Sequence, residues 1–213
     1  MDEKDAIKLL EKKVYKNKSN FGSVESFMQH SYSSGKIAEE IAGKLGFNTE
    51  EAFLAGYFHD IGRCFAEDKK DNAFHEIVGA RYIEKEGIEL GITDSREQCN
   101  RIAQSARSHF LVYEQFGAEE YRQWLPGLSD TNPTLLLPKS WNELITIYSE
   151  LTNVNGERIS FKNRIEDIKN RDRKNGNPRL KIVEKAESRL FSLRDDLEKA
   201  LQIGRIDTKY LVL

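Results

Sequence analysis

Apolar residues recur at intervals of three and four along most of the chain, and this spacing predicts a succession of helices separated by polar or glycine-marked breaks. Residues 2 to 16 set Ala6, Ile7, Leu9, Leu10, Val14 and Tyr15 among lysines and acids, an amphipathic helix whose stripe should pack on the body. Gly22 and Ser23 break the pattern. From Val24 to Leu45 a second helix carries Phe27, Met28, Ile37, Ala38, Ile41 and Ala42, with His30 inside the run, Gly35 as a kink point and Gly46 as its stop. Asn48 with Glu51 forms a capping box for a third, strongly apolar helix through Ala52, Phe53, Ala55, Tyr57 and Phe58, with Gly62 as a stop signal.

After a polar loop over Glu67 to Asn72, His75 opens a helix through Ile77, Val78, Ala80, Tyr82 and Ile83. Gly79, one turn on, leaves room either for a ligand or for tight helix packing. Asp94 with Glu97, or Ser95 with Gln98, caps the next helix, which runs through Ile102, Ala103 and Ala106 to His109. The stretch from Phe110 to Lys139 is aromatic and then proline-bearing, with Tyr113, Phe116, Tyr121, Trp124, Pro126, Pro133 and Pro138, and reads either as a lid or pocket wall or as a surface helix plus loop. Ser140 with Glu143 caps a helix bearing Leu144, Ile147, Tyr148 and Leu151, with Glu150 beside that face. A short helix follows over Phe161 to Asp172, and Gly176-Asn177-Pro178 ends it. The last helix spaces Val183, Ala186, Leu190, Leu193, Leu197 and Ala200 by threes and fours, a stripe that either packs on the N-terminal helix or pairs two copies in a homodimer. No stretch alternates at strand period for a useful length, so the expected fold is all-α.

Length and charge narrow the picture. The 213 residues suit one large domain or a domain with an appendage, divided here as 1–172 and a C-terminal helical extension over 173–213. Charged residues make up 32% and the net charge is −2, so no global basic field points to nucleic acid, and none is expected as a partner. No apolar run approaches the ~20 residues that cross a bilayer, and the start Met1-Asp2-Glu3-Lys4-Asp5 is too charged for a signal peptide; a cytoplasmic protein without a membrane partner is expected. Cys64 and Cys99 share no metal-binding spacing and read as reduced, partly buried thiols.

The chemistry concentrates at His59-Asp60. An imidazole and a carboxylate at the end of a buried helix need partners, because each is costly to bury alone. Taken by themselves, His59 can cap the helix and Asp60 can pair with Arg63. The other histidines change that reading. The chain holds four, His30, His59, His75 and His109, each within or at the edge of a predicted helix among small or apolar neighbours. Scarce imidazoles so placed look like a ligand set.

From about His30 to Ile168 these residues resemble the HD-domain metal-dependent phosphohydrolases. His30, the pair His59-Asp60 and the tail Ile61-Gly62-Arg63 match the family pattern directly. His75, in the context His75-Glu76-Ile77-Val78-Gly79-Ala80, and His109 match the extra histidines of the dinuclear subgroup, which includes bacterial dinucleoside tetraphosphate hydrolases and HD-GYP phosphodiesterases. The distal carboxylate, normally Asp, is Glu150 here, in Tyr148-Ser149-Glu150-Leu151. The run Asn155-Gly156-Glu157-Arg158-Ile159-Ser160-Phe161 with Arg164 again looks like the family and supports that register.

The resemblance implies an HD-domain helical bundle around two divalent ions. Ions ~3.5–4 Å apart need a bridging carboxylate with imidazoles on either side. Asp60 is then the bridge; His30, His59 and Glu150 complete one shell, and His75 and His109 hold the other ion. Nitrogen and oxygen ligands without thiolate suit Fe, Mn, Co or Ni, with Mg at a weak site. Such ions activate water for attack on phosphorus. Arg63 and Arg107 are candidates for outlying phosphate oxygens, or for surface salt bridges. The implied activity is hydrolysis of a phosphate ester or anhydride in a nucleotide-like small molecule, with Asp60 and Arg63 catalytic. The same ligand arrangement also serves HD-domain di-iron oxygenases, and a catalytically impaired regulatory module is the third reading.

Overall fold

The computed structural model describes residues 1–17, 23–66, 72–121, 128 and 131–204. Gly22, residues 67–71 of the polar loop, and Trp124 and Pro126 of the aromatic stretch lie outside the described residues. The helices are α1 (Glu3–Lys16), α2 (Val24–Leu45), α3 (Thr49–Phe58), α4 (His75–Glu86), α5 (Arg96–Arg107), α6 (Val112–Phe116), α7 (Trp141–Leu151), α8 (Phe161–Lys174) and α9 (Arg179–Ile203). Short 3₁₀ turns cover Ile61–Phe65 and Pro133–Leu136, and a two-stranded hairpin joins β1 (Asn153–Val154) to β2 (Glu157–Arg158). The all-α expectation holds, with that hairpin as its one departure among the described residues.

Local chemistry sets most helix starts. Side-chain oxygens of Ser23, Asn48, Ser95, Ser140 and Ser160 each accept a backbone N–H three residues on, which satisfies a donor that the first helical turn leaves open. Ser95 rather than Asp94 caps α5. Gly46 stops α2 with φ +76°, the left-handed conformation expected of a C-terminal glycine. α2 is helical through Gly35, and one expectation shifts: α3 ends before Gly62, at Phe58.

Gly62 has a different task. A Cβ there would lie 1.9 Å from the His75 carbonyl oxygen and 2.6 Å from the Gly79 nitrogen. Gly79 faces Gly62 in return, its own Cβ position being 2.9 Å from the Gly62 nitrogen. The room at Gly79 is therefore filled by backbone, which decides for tight packing over ligand access. Gly62→Ala must push α4 and the 3₁₀ turn apart, an overpacking cost of about 3 kcal/mol that lowers Tm by roughly 6–12 °C in a domain of this size. A melting curve checks this; a shift under about 2 °C would show that the contact relaxes cheaply.

α3 lies at the centre, its residues from Glu51 to Phe58 all buried, and packs against α2, α5 and α7. Its one buried acid, Glu51, is held bidentately by Arg101 of α5 at 2.8 Å for both contacts and also accepts from Asn142 of α7. A carboxylate buried there is tolerable because it is paired. Three apolar clusters surround this helix: one under α1, α3, α4 and α5, one joining α6, α7, α8 and α9, and one between α2, α7 and the end of α9. The predicted stripe of α9 is buried within its own chain, with Val183, Ala186, Leu190 and Leu197 at 0% exposure. It packs on α8, α7, α6 and α2.

Candidate metal centre

The six side chains singled out in the sequence converge. His30 projects from α2, His59 and Asp60 follow α3, His75 is the first residue of α4, His109 stands two residues beyond α5, and Glu150 is next to last in α7. Overlapping triads can each hold an ion: His30, His59 and Asp60; Asp60, His75 and His109; and His59, His109 and Glu150, with ligand atoms within 4.8 Å of one another in each. Glu150 thus falls with His59 and His109, whereas the sequence suggested His30 and His59 as its companions.

Helix ends orient three of the rings in the same way. Nδ1 of His59, His75 and His109 faces the carbonyl oxygen three residues back, at Gly56 (2.7 Å), Asn72 (3.0 Å) and Ala106 (2.6 Å). Each such nitrogen donates to its carbonyl, so the proton sits on Nδ1 and Nε2 is left to face the interior. Phe110, directly after His109, takes φ +49°, a strained value for an aromatic residue. Its carbonyl is held by Arg189 of α9 at 2.8 Å, which fixes the turn that aims His109 inward. The hairpin does similar work at His30: Asn155 (φ +49°) and Gly156 (φ +90°) make the tight turn, and Asn153 Nδ2 donates to the His30 carbonyl at 2.9 Å and to Ser34 Oγ at 3.1 Å.

Asp60 divides its oxygens between the rings. Oδ1 lies 2.6 Å from His75 Nε2 and 3.5 Å from His109 Nε2, and Oδ2 lies 3.8 Å from His59 Nε2 and 2.8 Å from Arg63 Nε. Both context-free readings of the dipeptide are therefore realised as well, since His59 does end α3 and Asp60 does pair with Arg63. Yet His59 Nε2, Asp60 Oδ1, His75 Nε2 and Glu150 Oε2 are buried without a hydrogen-bond partner. Four orphaned lone-pair donors around one point are costly without a cation and fit one well. The donor set of imidazoles and carboxylates without thiolate suits a divalent transition metal.

Electrostatics agree with that fit. Burial lowers the His30 imidazole to about 4, helped by His59, and burial lowers His59 too, so both are neutral bases at physiological pH. For Asp60 burial pushes upward, but Arg63, His75 and His59 outweigh it and hold the carboxyl well below its ordinary value. His109 is raised to about 9: burial works against its charge, and Glu150 with Asp60 overrides burial.

A cavity of about 880 Å³ opens onto the cluster, lined by His30, Asp60, His75, His109 and Glu150 together with Arg63. Phe110, Leu111, Gln115 and Tyr121 also line it, so part of the aromatic stretch is a pocket wall. Arg107 is not brought there. Its guanidinium pairs with Glu84 of α4 at 2.7 Å and with Gln104 at 3.0 Å, the salt-bridge alternative rather than the phosphate one. Sequence reasoning named Arg164 and Glu76 only as parts of family-like stretches and did not place them, or Arg171, at the site, although all three line the cavity. Arginine spacing along α8 offered a weak signal at best, because a basic helix face usually meets water.

No helix among the described residues is long and apolar enough to cross a membrane. No solved structure matches the chain significantly. Among curated proteins it is similar to ribonuclease Y of Mesoplasma florum, 34% identical over 95 residues, which are 45% of this chain and 18% of that protein. Ribonuclease Y of Thermosipho melanesiensis is 33% identical over 98 residues, 46% of this chain and 17% of the relative. The chain therefore spans less than a fifth of the length of these relatives. The HD domain family matches residues 27–137, just over half of the chain, a span that holds His30, His59, Asp60, His75 and His109. By that match, and with its histidines and aspartate gathered as described, the chain belongs to the HD domain family.

Proposed function

We propose that this protein is a metal-dependent phosphohydrolase that cleaves a phosphate ester or anhydride in a nucleotide-like substrate. The observation that carries the reading is the division of Asp60, one oxygen toward His75 and His109 and the other toward His59, inside a cavity that admits a ligand. Asp60 would bridge two divalent ions, with His30 and His59 on one, His75 and His109 on the other, and Glu150 beside His59 and His109. Fe, Mn, Co or Ni suits these donors, with Mg at a weaker site. Bound there, the ions supply an acidified water and positive charge for the phosphoryl oxygens.

The chain's own residues then account for the rest. Nδ1 donation to three backbone carbonyls turns each Nε2 toward the interior and fixes the ring planes before any ligand arrives. Arg63 lines the cavity and orients Asp60 through Oδ2, which places a guanidinium's charge beside the position a phosphoryl group would take. Glu150 is one methylene longer than the family's Asp, and its Oε2 is buried and unpartnered beside His59 and His109, which supports a ligand role.

The relatives named ribonuclease Y raise an RNA phosphodiester as another substrate of the same bond class. The test is a phosphate-release and cleavage screen under anaerobic conditions with Mn supplied, over mono-, di- and polyphosphorylated nucleotides and a short single-stranded RNA. Release of phosphate from a nucleotide without oxygen is the expected result. Turnover that requires iron and oxygen, with no phosphate from any nucleotide, favours the oxygenase reading; cleavage of RNA alone moves the substrate from a nucleotide to a nucleic acid.

A further inference from the structure

Arg164 and Arg171 of α8 line the same cavity as the six-residue cluster, on a helix outside the span matched to the HD domain family. The Arg164 side chain is only 15% exposed, and its Nε is buried without a hydrogen-bond partner. Nη1 of Arg164 pairs with Asp167 Oδ2 at 3.1 Å, and Nε of Arg171 meets that same oxygen at 3.2 Å. Two guanidiniums thus share one carboxylate, which leaves this wall with a net positive charge. Arg179, also in the lining, is spent in a bidentate pair with Asp172 at 2.8 and 2.9 Å.

Burial works against the charge of Arg164, and Glu150 supports it. Arg164, Glu150 and His109 line one cavity, so a single extended ligand lying in it can meet both the cluster and α8. A desolvated guanidinium with an open N–H is matched by an anionic oxygen, which its planar fork binds with charge-assisted hydrogen bonds.

We propose that Arg164, with Arg171 beside it, is a second anion subsite that takes a phosphoryl group next in line to the one presented to the cluster, so that the substrate is polyphosphorylated. The inference rests on the phosphohydrolase reading for its substrate class, but its test reads binding and not turnover. Orthophosphate reaches the cluster alone, while pyrophosphate and tripolyphosphate extend toward α8.

Calorimetry would compare these three inorganic anions on Mn-loaded full-length protein freed of excess metal, with metal content measured before and after. Arg164→Gln is expected to weaken pyrophosphate or tripolyphosphate at least about tenfold and orthophosphate by less than about twofold, the size of effect of losing hydrogen bonds to a charged group. Arg164→Lys restores part of the loss, because it keeps the charge without the fork. Should Arg164→Gln lower Tm, Arg171→Gln, at a side chain 53% exposed, is expected to weaken the longer anions in the same direction by about threefold. Equal loss for all three anions, no loss, or no preference of the wild type for the longer anions overturns the subsite. If the wild type prefers the longer anions through Arg164 but releases phosphate from no nucleotide, the subsite stands and the hydrolase reading falls. If nucleoside monophosphates are hydrolysed and Arg164→Gln changes neither turnover nor binding, the reverse holds.

Discussion

Asp60→Ala is expected to empty the site of metal and to abolish phosphate release. Its two oxygens face different imidazoles, at 2.6 Å to His75 and 3.8 Å to His59, so one substitution removes a donor from both halves of the cluster. Loss of a single preorganised electrostatic group costs about 10²–10³ in rate, and loss of the carboxylate proposed to bridge two ions should exceed that. Asp60→Asn separates charge from shape. It nearly preserves the volume but cannot balance the positive charge of Arg63 and two cations, so metal content should fall almost as far. Metal analysis and phosphate release on purified variants check both. A variant that keeps its metal while losing only activity would make Asp60 an acid or base rather than a bridge.

Removal of the chain after Asn177 is expected to abolish cooperative unfolding. α9 contributes Val183, Ala186 and Leu190 to the cluster with Phe74, Ile165 and Leu151, and Leu197 and Ala200 to the cluster with Ile41, Trp141 and Ile145. Deleting one buried leucine typically costs about 2–5 kcal/mol, and a domain of this kind is stable by only about 5–15 kcal/mol. Losing the whole stripe exhausts that margin and uncovers α7 and α8, which position Glu150 and Arg164. The carbonyl of Phe110 would also lose Arg189, loosening the turn at His109. An unchanged melting temperature, with a shift only from dimer to monomer in ultracentrifugation, would instead assign the stripe to a homodimer.

Much of this arrangement was legible because its elements are local. Caps such as Asn48 and Ser140 act within three residues, and helical periodicity marked nearly every buried face. The cluster itself was legible because histidine is scarce here, and three of the four stand at helix ends, where a ring can bond back to a carbonyl and still face inward. What sequence could not supply depends on packing between distant elements. Arg107 and Arg164 are both arginines on amphipathic helices, yet one meets Glu84 across α4 and the other turns into the cavity. Gly62 resembled a helix stop until the His75 carbonyl was seen against it. Asn155-Gly156 was a turn signal, but strands of two residues each carry too little alternation to read. The left-handed Phe110 left no trace at all, since nothing in its residue type favours that conformation.

The most direct test of the account is metal stoichiometry in anaerobically purified protein. The wild type should hold close to two transition-metal ions per chain, and His75→Ala combined with His109→Ala should hold close to one, because the triad of His30, His59 and Asp60 remains. A wild type that saturates at a single ion, or a double variant with undiminished metal and activity, would contradict the dinuclear centre.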